Sequence, residues 1–315
     1  MNTIGTRLAG LLKKYWMPLF MVGSLVYLLY YIRTQLNGIG TGISFELVPL
    51  IGSALFQALF WVVSSHLWRT ALFTVSDKML PLTNSFFQLC LGNLGKYIPG
   101  KIWGMVARAS YLKQNHNIEV GRIIQATYIE QIYLLGSGVV LASIVAAVII
   151  ADAKLWFLAL LITASIFAAM IYQKPISFMI DFMRRLYKSE SVDKISDFRL
   201  PPKRMVMMFV LYIVAWLSLS MVMYTLYLSL FPSEISMHMA GVMVLACVAG
   251  IIAGFVAIFS PGGVGVREAV IAAILFPYMP VADAILLVLF FRIWLSALEI
   301  LVGGTLYLRN RNSTA

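Results

Sequence analysis

Six apolar runs, at 16–32, 47–67, 122–150, 155–172, 205–230 and 281–308, dominate this 315-residue chain and leave few folds open to it. A helix crossing the hydrocarbon core of a bilayer needs about 20 apolar residues, because each residue advances it by about 1.5 Å. Several of the runs reach or exceed that length. Inside lipid every backbone N–H and C=O must find a partner within the protein, so spanning segments are helices or closed barrels. A barrel would read as alternating segments of about ten residues, and the runs here are continuous instead. Hydrophobic residues make up 61% of the chain and charged residues 12%, with a mean hydropathy of +0.88. Soluble globular chains hold roughly 45–50% apolar residues. The expected fold is an all-α polytopic membrane protein, a single transmembrane domain over residues 1–315 with about six spanning helices.

Two further apolar stretches are broken in the middle. The first, 84–113, carries Gly92, Gly95, Lys96, Pro99, Gly100 and Lys101 at its centre. Proline has no backbone donor and disfavours helix in the residue before it, so the helix should break near Ile98. Its arms, about 84–98 and 102–112, are both short for a span. They fit a re-entrant hairpin that turns at Pro99-Gly100 and returns to the same side; one Pro-kinked span is the alternative. The second stretch, 257–270, contains Ser260-Pro261-Gly262-Gly263 and would join arms at 239–259 and 264–276. Non-helical backbone at membrane depth is tolerated only against protein or a water-filled cavity.

The charge distribution tests this layout. The net charge of +11 is first a topology signal, since cytoplasmic loops collect Lys and Arg. No nucleic-acid module accompanies it. With both hairpins re-entrant, Arg7, Lys13, Lys14, Arg69, Lys78, Lys113, Arg122, the basic 173–204 loop, Arg309 and Arg311 share the cytoplasmic side, and only Arg33 and Lys154 remain outside. That bias places the protein in the plasma (inner) membrane with both termini cytoplasmic. Full crossing by both hairpins would preserve the same bias. Ile176, Met179, Ile180, Met183 and Tyr187 fall on one helical face, suited to an anionic leaflet. Residues 1–14 read either as a basic amphipathic lead-in or as a cytoplasmic tail. No small-residue cleavage site follows the first run, which is therefore expected to be retained.

One offset carries Pro99-Gly100 onto Pro261-Gly262 and Glu130 onto Arg292. The expected architecture is an inverted repeat, 47–151 and 205–308, with two oppositely oriented re-entrant hairpins converging from the two leaflets. Paired broken segments of this kind mark binding sites in secondary transporters.

The second arm of each hairpin would start at the tip, aiming a helix N-terminus with free N–H groups at the membrane interior. With Lys96, Lys101 and Arg267 near the turns, that is an anion site in outline. Equally, glycine and proline could serve tight packing while the lysines reach out to water. Arg108, Glu130, Glu268, Arg292 and Glu299 lie on apolar segments, where charges pair or line a cavity. Arg267 and Glu268 are adjacent and cannot face one way on a helix; one could bind substrate while the other pairs with Arg292 or Lys96. Purely structural ion pairs are the other possibility. Gln88, Asn93, Gln125, Tyr128 and Gln131 could bond a head group or join helices. His66, beside Trp68 near the expected end of its span, suits an interfacial position. Cys90 and Cys247 imply neither a disulfide framework nor a metal site, and the three histidines lack metal-ligand spacing. No nucleophile elbow, P-loop or His-Glu-x-x-His motif is present, so neither enzyme activity nor a cofactor is expected.

The stretch GNLGKYIPGKIWGMVARASYLK, followed by SPGGVGVREA, resembles the lysylphosphatidylglycerol-synthase transmembrane family, also called flippase-like proteins. The resemblance covers most of the chain, and its specific part is these two motifs. It implies a membrane domain that moves or presents lipids such as aminoacylated phosphatidylglycerol or polyprenyl-phosphate-linked sugars. Synthase members carry a soluble aminoacyl-transferring domain after the membrane part; this chain stops at Ala315, so that activity is expected to be absent. Carried over by position, the candidates are Asn93, Lys96, Pro99, Gly100, Lys101, Pro261, Gly262, Gly263, Gly265, Arg267 and Glu268.

The expected function is therefore translocation of a phosphate-bearing lipid, a phospholipid or a polyprenyl-phosphate lipid, with its head group between the hairpin tips. Arg108, Glu130 and Arg292 join the family-derived residues in the expected site. The alternative is a non-transporting membrane subunit that docks or regulates a glycosyltransferase or lipid-modifying partner through the 173–204 loop. Anionic lipid at the cytoplasmic surface is a further expected partner.

Overall fold

The computed structural model describes residues 46–95, 103–172, 200–231, 235–257 and 263–313, and every regular element among them is an α-helix. In chain order these are α1 (Leu47–Ser76), α2 (Leu82–Gly95), α3 (Trp103–His116), α4 (Val120–Ile150), α5 (Ala153–Tyr172), α6 (Pro202–Leu230), α7 (Met237–Val256), α8 (Val266–Leu275) and α9 (Val281–Ser313). Five of them, α1, α4, α6, α7 and α9, are long and apolar enough to cross a membrane. The expected first span at 16–32, the surface helix at 176–187 and both hairpin tips lie outside the described residues.

Local chemistry sets several boundaries. Pro202 opens α6, where its missing N–H is no loss. Ser236 caps α7 by accepting a hydrogen bond from the Met239 N–H. Asp77 and Ala151 close α1 and α4 in the left-handed region, each returning its N–H to the helix. Helix α1 therefore runs nine residues beyond the expected span end at 67. That corrects the placement of His66 and Trp68 near a span end: both lie within α1, and Trp68 is fully buried.

The interior forms where α1, α4 and α6 meet. Helices α1 and α6 make the most extensive pairwise contact in the molecule. Leu67, Trp68, Leu72, Ile123, Ile129, Tyr133, Met208 and Tyr212 form one buried cluster. Trp216 packs flat on α4 at Gly138, where an added Cβ would come within 2.9 Å of the indole, and its Nε1 donates to the Leu134 carbonyl at 3.0 Å. The outward faces are apolar as well: Val48 is 80% exposed, Phe157 68% and Leu160 68%. Such faces suit hydrocarbon, not water. Buried hydroxyls are satisfied along their own helices, as in Ser65 to Trp61 and Ser76 to Leu72.

The two broken stretches form two antiparallel helical pairs. In α2–α3, Gly92 meets Gly104, Phe87 meets Tyr111 at 5.1 Å and Asn84 meets His116 at 3.4 Å. In α7–α8, Gly254 meets Gly263 and Gly250 meets Ile271. At about 1.5 Å per residue, α2, α3 and α8 fall well short of a hydrocarbon core of about 30 Å. Helix α7, with 20 residues, is long enough to cross, although its sequence was expected to supply a hairpin arm. Helix α9 packs against both α2 and α8, so one long element touches both pairs.

Glycine makes the first pair possible. A Cβ on Gly104 would sit 2.6 Å from the Gly92 carbonyl oxygen, a backbone atom that cannot turn away. Gly104→Ala should therefore cost about 1–3 kcal/mol, the usual penalty for overfilling a packed contact. Thermal unfolding of the purified variant in detergent measures this, and a melting temperature equal to that of the parent protein would refute the close packing.

Candidate functional site

Two charged knots lie where the short helices meet the long helix that follows each pair. The first is built on α2, α3 and α4. Arg108, 7% exposed, donates from Nε to the Gln88 carbonyl at 2.9 Å and from Nη1 to Glu130 Oε2 at 2.9 Å. Its guanidinium lies 4.2 Å from the centre of the Trp68 ring, a cation–π contact. Trp68 in turn donates from Nε1 to Gln88 Oε1 at 2.7 Å. The side chain reaches this position because Gly92 leaves room: a Cβ there would come within 3.0 Å of Arg108 Nε. Several polar atoms nearby have no partner, including Tyr212 Oη, Gln88 Nε2, Gln125 Nε2 and Gln131 Oε1.

The open end of this pair is tied down by cations at helix C-termini, where they complement the helix dipole. Lys78 Nζ donates to the His116 and Asn117 carbonyls at 2.8 and 3.2 Å. Arg122 Nη1 donates to the Val75 carbonyl at 2.9 Å. Burial and the Lys78 charge lower the His116 pKa from the ordinary imidazole value.

The second knot is built on α7, α8 and α9. Gly263 and Gly265 take φ of +73° and +86°, a region open to glycine and rarely to other residues. The first also touches Gly254, where a Cβ would come within 2.8 Å of backbone. From the first turn of α8, Glu268 accepts the Gly265 N–H at 2.6 Å and forms an ion pair with Arg292 on α9. Arg267 turns another way, and its guanidinium lies 5.3 Å from the centre of the Phe291 ring. Its Nη2 is enclosed and without a hydrogen-bond partner, as is Trp294 Nε1 on α9. Glu299, buried on α9, acts electrostatically on both Cys90 of α2 and Arg267 of α8.

The expected site residues thus fall into three groups. Arg108 and Glu130 pair with each other, and Glu268 pairs with Arg292, one of the two partners expected there. Asn93, Gly263, Gly265 and Arg267 occupy the arms or their starts. Lys96, Pro99, Gly100, Lys101, Pro261 and Gly262 lie outside the described residues. Trp68 and Phe291 are functional neighbours that the sequence did not single out, because an aromatic residue in an apolar run carries no mark of the cation it will meet.

Comparison with known proteins gives one family: the model for the lysylphosphatidylglycerol synthase TM region matches residues 16–303. No curated protein matches the chain.

Proposed function

The chain belongs to the lysylphosphatidylglycerol synthase transmembrane family, and on that premise we propose that it is a lipid translocase, not an enzyme, moving a phosphate-bearing lipid across the bilayer. The observation that carries this reading is the two antiparallel helical pairs, each placing charged side chains on a helix too short to span, Arg108 on α3 and Arg267 and Glu268 on α8. Burying charge in lipid is costly and is retained where it serves a pathway or a ligand.

The two hairpins also correspond in detail. By their packing contacts Gly92 and Gly104 correspond to Gly254 and Gly263, and Arg108 and Arg267 each lie four residues beyond the second glycine, although the second arms sit three residues off the offset that relates the first. The offset that takes Gly92 to Gly254 takes Glu130 to Arg292, and in both halves an ion pair ties the second arm to the next long helix. This supports two re-entrant hairpins in an inverted repeat, entering from opposite leaflets, with both termini cytoplasmic in the plasma membrane. The head group would pass between the tips, near Lys96, Lys101 and Arg267, while the tail stays in lipid. Rocking of one half against the other would alternate access.

Reconstituted vesicles test the proposal. A phospholipid labelled on its head group should exchange between leaflets faster than in protein-free vesicles. Equal rates would reject translocation and favour a docking subunit, whose working part would be the 173–204 loop.

A further inference from the structure

The two hairpins match in geometry but not in charge, and the difference singles out one of them. In the first, Arg108 has partners: a carboxylate in Glu130, a carbonyl from Gln88 and the Trp68 ring. In the second, the position matching Glu130 is Arg292, a cation, which pairs with Glu268 and not with Arg267. Glu268 neutralises Arg292 and its other oxygen takes the Gly265 N–H. Arg267 is left with no ion pair among the described residues. Among the described residues, Arg267 Nη2 on α8 and Trp294 Nε1 on α9 are enclosed donors without a hydrogen-bond partner. Leaving an enclosed donor without a partner is costly, so the second knot calls for an acceptor.

We infer that the α7–α8 hairpin is an anion site, with Arg267 as the ligand for a phosphate oxygen, whereas Arg108 of the α2–α3 hairpin is already held by Glu130. This rests on the reading of the hairpins as a head-group site and places the phosphate at Arg267. The ligand is a phosphate monoester or diester, whose ionised oxygens accept hydrogen bonds and whose geometry guanidinium matches. Glycines 263 and 265 let the backbone stand close to such a group.

The test uses the full-length protein in detergent and follows its melting temperature against two probes, inorganic phosphate and dihexanoyl phosphatidic acid. A ligand that binds only the folded state raises the melting temperature in a concentration-dependent way. The parent protein should respond to the short-chain lipid; a response to inorganic phosphate as well identifies the phosphate alone as sufficient. Arg267→Gln should weaken the apparent affinity at least tenfold, Arg267→Lys should recover part of it, and Gln114→Ala, at the exposed end of α3, should leave it unchanged. An undiminished response in Arg267→Gln, or none in the parent protein, would overturn the assignment. The latter result would leave lipid exchange in vesicles to stand or fall separately, and binding without exchange would reject translocation while keeping the anion site.

Discussion

Replacing Arg108 with alanine is expected to destabilise the protein by about 3–5 kcal/mol, the cost of leaving one member of a buried ion pair without its partner. The two side chains are 8% and 10% exposed, so water cannot replace the lost partner of Glu130. The change also strips Trp68 of the cation above its ring and the Gln88 carbonyl of its donor. By contrast, Arg108→Met combined with Glu130→Leu should cost much less than the single change, because neither charge is then stranded and apolar volume is kept. Unfolding of the three proteins in mixed detergent–denaturant micelles checks this. Equal losses for the single and double variants would show that the pair is not a unit.

Arg267→Ala is expected to behave in the opposite way. Arg267 has no ion pair among the described residues, so its removal strands no charge, and the Phe291 contact is worth about 2 kcal/mol at a desolvated site. Folding and membrane insertion should survive. On the proposed function, lipid exchange should fall at least tenfold, because Arg267 would be the donor to the head-group phosphate. Stability without activity at Arg267, and lost stability at Arg108, are the paired signatures of two hairpins alike in shape and unlike in task.

Much of the architecture was legible because lipid imposes long apolar runs. The span expected at 122–150 is α4 from Val120 to Ile150, and that at 205–230 is α6 from Pro202 to Leu230. The breaks were legible for a related reason, since Pro99 and Ser260-Pro261-Gly262-Gly263 have no place inside a simple span. The end of α1 was not, because Arg69 looked like a boundary and Asp77 supplies the actual stop. Glu268 and Arg292 could be matched in advance as opposite charges on neighbouring segments. The saturation of Arg108 by Gln88 and Trp68 could not, because contacts across two antiparallel helices depend on register, which leaves no period in the sequence. Gly92 and Gly104 were hidden in the same way: each is an unremarkable glycine until the other is found against it.

Leaflet exchange of a head-group-labelled phospholipid, measured side by side in vesicles holding the parent protein, Arg267→Ala or no protein, tests the central claim most directly. The account predicts fast exchange with the parent protein and exchange near the protein-free rate with Arg267→Ala, at equal amounts of folded protein in the membrane. Equal exchange by parent and variant, or a parent rate no greater than that of empty vesicles, would contradict it.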